Sequence, residues 1–94
     1  MVRAIWNGEV VAESKEIKQI EGQRFFPPES VKKEFLKKSF THFVDLEKGT
    51  ANYYNIAVKD KVNWNAAWYF PKPNKKVTHI KNYIAFSPAV DIED

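Results

Sequence analysis

Four side chains that could do chemistry lie close together in the middle of the chain. They are an imidazole, two carboxylates and an ammonium group, at His42, Asp45, Glu47 and Lys48. A histidine beside a carboxylate can act as a general base, and a lysine can anchor an anionic group. The same spacing is common in solvated polar bends, so a bend without a chemical role stays an open alternative. One histidine with two nearby carboxylates is too small a set for a metal site, and we expect neither a metal nor a cofactor.

The candidates lie at the start of a stretch that we predict to organise the fold, a long β-hairpin over residues 48–70. We place its tip at Asp60-Lys61. Side chains alternate between the two faces of a strand, and one face then matches small residues with large ones, as a close-packed core requires. We predict this face, with Trp64 and Trp68, to be core. Its pairs are Ala57–Trp64, Asn55–Ala66, Tyr53–Trp68 and Ala51–Phe70.

The opposite face of the same hairpin mixes amides, phenols and one cation. Binding pockets are built in this way, with apolar walls and a few convergent polar groups. An exposed sheet face carrying amphipathic tyrosines would look the same in the sequence. The ligand-binding residues predicted on this face are Lys48, Asn52, Tyr54, Asn65 and Tyr69.

The remaining elements are mostly short strands. Asn7-Gly8 favours a type I′ turn, because both positions accept positive φ, and the resulting hairpin pairs Ile5 with Val10 and Ala4 with Val11. Residues 23–26 predict a strand that two prolines stop. The helical spacing of apolar residues predicts the one helix over residues 28–38. We therefore predict a mainly β single domain over residues 1–94 with one short helix, its antiparallel sheet curled, barrel-like or tent-like.

Composition narrows the class of protein further. A chain of 94 residues has room for one hydrophobic core. It contains no cysteine, which excludes disulfide and thiolate chemistry and fits a cytoplasmic location. No stretch has the length of a membrane span, and the N-terminus lacks the apolar core of a signal peptide. We expect a cytoplasmic protein without a membrane partner.

The lysines raise a separate possibility, because nucleic acid can follow a basic surface while its bases stack on aromatic rings. However, 15 basic and 12 acidic residues give a net charge of only +3. Acidic residues also interrupt the basic runs, so nucleic acid is not the expected partner. The lysines concerned are Lys32, Lys33, Lys37, Lys38, Lys72, Lys75 and Lys76.

Two segments resemble motifs of a known family. Residues 48–54, Lys-Gly-Thr-Ala-Asn-Tyr-Tyr, resemble the Lys-Gly-x-Ala-x-Tyr-Tyr segment of the small bacterial domain of unknown function 427, and residues 65–73 resemble its Ala-Trp-x-Tyr-Pro-x-Pro segment. The resemblance implies a compact, mainly antiparallel β domain. The family is sometimes labelled nucleotidyltransferase-type, but this chain lacks the Gly-Ser and paired aspartates that would hold metal and nucleotide. Many members have Cys-Pro-Trp where this chain has Asp45-Leu46-Glu47, so no thiol role carries over.

The sequence leaves three hypotheses about function. The leading one is a domain that binds a small anionic or polar ligand on the mixed face of the hairpin. The second is a small enzyme that uses His42 with Asp45 or Glu47 as an acid–base pair. The third is a weak nucleic-acid binder. The sequence does not decide whether the protein is an enzyme, nor its oligomeric state.

Overall fold

The computed structural model describes residues 1–94 and contains nine β-strands. Three short 3-10 helical segments interrupt them, at Pro28–Ser30, Lys33–Phe35 and Lys75–Ile80. The strands are β1 (Val2–Trp6), β2 (Glu9–Ser14), β3 (Lys18–Ile20), β4 (Gln23–Phe25), β5 (Leu36–Asp45), β6 (Gly49–Val58), β7 (Lys61–Tyr69), β8 (Ile84–Phe86) and β9 (Asp91–Glu93).

All the strand pairs are antiparallel and form three sheets. The largest has the order β5-β6-β7-β8, the second has β2-β1-β9, and the third is the β3-β4 hairpin. Two backbone hydrogen bonds between Phe26 and Ile84, each 2.8 Å, link the end of β4 to β8. The predicted mainly β class is therefore confirmed, with open sheets in place of a closed barrel.

The first hairpin contains the predicted turn. Asn7 and Gly8 have φ values of 49° and 79°, the positive values that a type I′ turn requires. Ile5 pairs with Val10 as predicted, but Ala4 pairs with Ala12 and not with Val11. An irregularity between Ala4 and Ile5 shifts the register by one residue. Such a bulge leaves one residue of β2 without a direct partner.

The predicted helix over residues 28–38 is wrong in position. The segment forms two separate 3-10 turns, Pro28–Ser30 and Lys33–Phe35, and then enters β5 at Leu36. Val31 is extended between the turns and bridges to Ala12 in β2, so this apolar residue makes a sheet contact instead of the predicted helical one. The longest helical segment is Lys75–Ile80. No helical segment is both long and apolar enough to cross a membrane.

The central hairpin exists, but its outer half has a different register from the predicted one. Tyr53 pairs with Trp68 as expected, whereas Ala57 pairs with Val62 and not with Trp64. Between the two regions a bulge sets three residues of β7 opposite the single Asn55, and Asn65 adopts φ of 52°. The backbone N–H of Asn65 donates to Asn55 Oδ1 at 2.7 Å and so satisfies the amide that leaves the ladder.

This bulge overturns one core prediction. Trp64 leaves the face on which it was placed, and its surface is 73% exposed. Trp68 is half-buried, in edge-to-face contact with the rings of Phe43 and Tyr53. A large exposed aromatic residue at position 64 has no role in the folded core.

Two hydrophobic clusters cover opposite faces of the central sheet. The predicted core face contributes Ala51 and Phe70 to a cluster of five buried residues. The face predicted to form a rim or pocket contributes Ile56 to the larger cluster of 13 buried residues, and Tyr54 and Tyr69 pack against it. The mixed face is therefore largely a second core face, because sheets β1–β2–β9 and β5–β8 both supply side chains to that cluster.

Alanine variants of Ile56 and Trp64 should show which of the two hairpin side chains is part of the core. Ile56→Ala should lower the free energy of unfolding by roughly 2–5 kcal/mol, because the side chain is fully buried in the larger cluster. Trp64→Ala should change it by no more than about 0.5 kcal/mol. Urea denaturation of both variants beside the wild type measures the difference. A loss at Trp64 as large as that at Ile56 would contradict the bulged register.

Candidate functional site

The turn between β5 and β6 is held by the side chain of its first residue. Asp45 Oδ1 accepts hydrogen bonds from the backbone N–H groups of Glu47 at 2.9 Å and of Lys48 at 3.0 Å. Aspartate favours such turns because its short carboxylate reaches the backbone two and three residues ahead. Three of the four residues in the predicted chemical cluster, Asp45, Glu47 and Lys48, therefore lie in a rigid turn.

A second segment of the chain holds the same turn from outside. The Asn74 side-chain amide donates to the carbonyl oxygens of Leu46 at 3.4 Å and Glu47 at 2.9 Å. The Asn74 backbone N–H donates to the carbonyl oxygen of Lys48 at 2.9 Å. The two segments approach so closely that a Cβ at Gly49 would lie 3.2 Å from the Lys72 carbonyl oxygen. Gly49 also has φ of 111°, which favours glycine.

The Lys48 side chain lies between two carboxylates. Its Nζ is 3.2 Å from Glu21 Oε2 in the β3–β4 turn and 3.4 Å from Asp45 Oδ2. The lysine side chain is only 11% exposed, whereas that of Glu21 is 64% exposed. Burial lowers the pKa of Lys48, but the hydrogen bond that Lys48 donates to Glu21 and the charges of Asp45 and Glu21 outweigh it and raise the pKa. Lys48 is therefore a fixed positive charge.

The same ion pair affects Asp45. Burial raises the pKa of this carboxyl group, but the two backbone hydrogen bonds and the positive charge of Lys48 outweigh it and lower the pKa below its ordinary value. Asp45 is accordingly ionised at neutral pH, and its charge is already balanced by Lys48. A carboxylate in this state is a poor general base.

The largest cavity of the molecule opens beside this turn. It has a volume of about 590 Å³ and lies between the β3–β4 turn, the β5–β6 turn and the start of the Lys75–Ile80 segment. We call it the lysine cavity. Its lining combines apolar side chains (Ile20, Leu46 and Val77), cations (Lys48, Lys75 and Lys76) and the polar or acidic Asn74, Glu21 and Glu47.

His42 lies away from this group. It is exposed on β5 opposite Asn52, three residues before Asp45. The strand is regular from 42 to 45, so His42 and Asp45 point to opposite faces. Phe43, which shares the face of Asp45, contacts Trp68 and Phe70 in the smaller cluster. The structure thus brings Asp45, Glu47 and Lys48 together and leaves His42 on the other side of the sheet.

The residues predicted on the mixed hairpin face are also divided. Asn52 pairs directly with Tyr69, and the Tyr54 and Tyr69 rings stack with their centroids 4.8 Å apart. Burial, and secondarily the neighbouring Tyr69, raises the pKa of Tyr54. Lys48 belongs to the turn, and none of the three cavities is lined by the other four residues.

Asn65, the fifth of those residues, has a structural environment of its own. Ser39 Oγ donates to Asn65 Oδ1 at 2.6 Å, and Asn65 Nδ2 donates to Thr41 Oγ1 at 3.3 Å. These bonds connect the β7 bulge to an irregularity in β5 between Lys38 and His42. The Asn65 amide therefore already has partners on both of its polar atoms.

Sequence reasoning missed the residues that complete the lysine cavity. Glu21 has no predicted role, and Lys75 and Lys76 are predicted only as part of a general basic surface. Their approach to Lys48 depends on contacts between residues 21, 48 and 74, which are distant in the sequence. One signal was available, since Glu21-Gly22 and Pro73-Asn74 are turn-forming pairs and turns are where sites are often assembled.

The chain belongs to a family defined by a domain of unknown function, DUF427. The family model matches residues 1–94, which is the whole chain. Lys48-Gly49, which begins the first of the two family motifs, lies at the β5–β6 turn that Asp45 and Asn74 hold. A search of curated proteins gave no match.

The ionised Asp45 should give the protein a pH-dependent part of its stability. Asp45→Ala should cost roughly 1–2 kcal/mol at pH 7, because two backbone N–H groups lose their acceptor and Lys48 loses one of its two carboxylates. Since the folded-state pKa is lowered, this contribution is present above the ordinary value near 4 and is lost as the pH falls through the folded-state pKa. Urea denaturation at pH 7, 5 and 3 (about these values) measures it.

Asp45→Asn is the matched control for charge. It keeps an oxygen that can accept from the turn amides, so it should retain part of the stability while losing the pH dependence at this position. A difference between wild type and Asp45→Asn that stays constant from neutral to acidic pH would contradict the assignment.

Proposed function

We propose that this domain binds a small anionic ligand in the lysine cavity. The observation that carries the proposal is a cavity of about 590 Å³ in which apolar side chains and three lysines converge on a turn held rigid from two sides. Ligand sites commonly combine such preformed concavity with a few placed polar groups. The proposed site differs from the one predicted from the sequence, because it lies at the turn that contains Lys48 and not on the mixed face of the hairpin.

Two unpaired lysines in the cavity favour an anion. Lys48 is neutralised by Glu21 and Asp45, whereas Lys75 and Lys76 are exposed and form no ion pair. Glu47 is the one carboxylate of the lining without a cationic partner. Asp45 beside Lys48 brings the charges of the group to balance, so the attraction for an anion comes from the two unpaired lysines and not from a net charge. A phosphate or carboxylate group near Lys75 and Lys76 would meet these charges.

The free energies available from ion pairs and from apolar burial indicate what else the ligand must contain. Exposed ion pairs contribute only about 0.2–1 kcal/mol each, so two lysines alone support a very weak complex. Burial of about 100 Å² of apolar ligand surface adds roughly 2.5 kcal/mol at 25 cal/mol per Å². The apolar lining at Ile20, Leu46 and Val77 can provide it. Simple probes should therefore bind with dissociation constants in the millimolar to high micromolar range.

Thermal unfolding with simple anions tests the proposal. Inorganic phosphate, hexanoate and phenyl phosphate are added up to about tenfold the expected dissociation constant, which means tens of millimolar, with sodium chloride at matched ionic strength as the reference. A ligand at tenfold its dissociation constant stabilises by about 1.4 kcal/mol, which raises the Tm of a domain of this size by roughly 5 °C or more. At least one of these anions should do so.

The Lys75→Gln/Lys76→Gln double variant should lose most of this shift. Lys37→Gln/Lys38→Gln is its matched control, since it removes two adjacent exposed lysines that do not line the cavity, and it should respond as the wild type. The proposal fails if no anion acts beyond sodium chloride, or if both double variants respond equally.

A further inference from the structure

A second concavity adjoins the lysine cavity and has aromatic walls. It has a volume of about 220 Å³, and the rings of Phe25, Phe43, Trp68 and Phe70 line it. We call it the aromatic cleft. It shares Ile20, Glu21 and Lys48 with the lysine cavity, so the two are neighbouring compartments.

The walls of the aromatic cleft support one another. Phe43 meets Trp68 and Phe70 edge-to-face, with centroid separations of 6.3 Å and 6.1 Å. Phe25 lies 6.3 Å from Phe70, and both are buried. Trp68 and Phe43 are half-buried and present the accessible part of the wall. Rings held in this way leave the cleft formed before any ligand arrives.

The Lys48–Glu21 ion pair stands at the boundary between the compartments. Most of the Lys48 side chain is enclosed and it is also held by Asp45, whereas Glu21 is largely exposed. An incoming anion can therefore take the place of Glu21 beside Lys48 while the lysine stays where it is. Lys48 would then face both an anion on one side and the aromatic cleft on the other.

We propose that the ligand of this site is an aromatic anion, with a compact ring in the aromatic cleft and its phosphate or carboxylate group beside Lys48, Lys75 and Lys76. This inference rests on the proposed function and specifies its ligand class. The cleft has the right size, since an apolar cavity of about 150 Å³ suffices for benzene and this one has about 220 Å³.

An organic cation is the principal rival, because aromatic walls also attract cations. Two carboxylates, Asp45 and Glu21, reach the cleft and would favour it. Both are already paired with Lys48, however, and a ligand cation would lie next to that fixed positive charge. The arrangement favours a neutral ring with its charge directed to the lysines.

Three probes distinguish these possibilities on the complete chain. Phenyl phosphate combines ring and anion, inorganic phosphate has the anion alone, and benzyltrimethylammonium combines a ring with a cation. Dissociation constants are measured by titration calorimetry. Phenyl phosphate should bind about tenfold more tightly than inorganic phosphate, and benzyltrimethylammonium should bind more weakly than phenyl phosphate.

Substitutions in the wall of the aromatic cleft test whether the ring of the ligand lies there. Trp68→Leu should abolish the tenfold advantage of phenyl phosphate, whereas Trp64→Leu on the same strand should keep it because that residue lies outside the cleft. Phe43→Leu provides a second test if Trp68→Leu does not fold, and it too should reduce the advantage.

Each result bears on a different part of the argument. Equal affinity for phosphate and phenyl phosphate overturns the aromatic ligand but leaves the anion site standing, as does an advantage that survives both Trp68→Leu and Phe43→Leu. Tighter binding of benzyltrimethylammonium than of phenyl phosphate also overturns it. Failure of both phosphates to bind refutes this inference, and failure of hexanoate as well refutes the proposed function.

Discussion

The site depends on one largely enclosed cation. Lys48 joins the β5–β6 turn to the β3–β4 turn through Asp45 and Glu21, with only 11% of its side chain exposed. A charge so largely enclosed needs partners, and the two ion pairs connect the two turns. Both the lysine cavity and the aromatic cleft include Lys48 and Glu21. The geometry of the site therefore follows from the need to neutralise one lysine.

The central sheet explains why the site is at a turn and not on a sheet face. Side chains of one face enter the larger cluster and those of the other face enter the smaller one, so both faces are used mainly for packing. The cavities lie at the end of the sheet, where Asn74 clamps the turn and the Lys75–Ile80 segment begins. Asp45 stands three residues before Lys48, and its carboxylate organises the turn.

Local signals predicted much of the fold. The Asn7-Gly8 turn, the Tyr53–Trp68 pair and the short strand after Gly22 follow from turn chemistry and alternation, and the structure contains them. The predicted position of Trp64 failed because the β7 bulge depends on a side-chain acceptor at Asn55, which no periodicity reveals. The helix failed because Val31 is stabilised by β2, a contact distant in the sequence. Lys48 was a predicted binding residue, but its partners Glu21 and Asn74 depend on tertiary structure.

The most direct test of this account is a map of where an aromatic anion binds, obtained from ¹H–¹⁵N chemical-shift changes during titration with phenyl phosphate. The account predicts the largest changes at the amides of Glu47, Lys48 and residues 74–77, together with the Trp68 indole N–H. Changes centred on Asn52, Tyr54 and Tyr69 would place the ligand on the mixed hairpin face and contradict it.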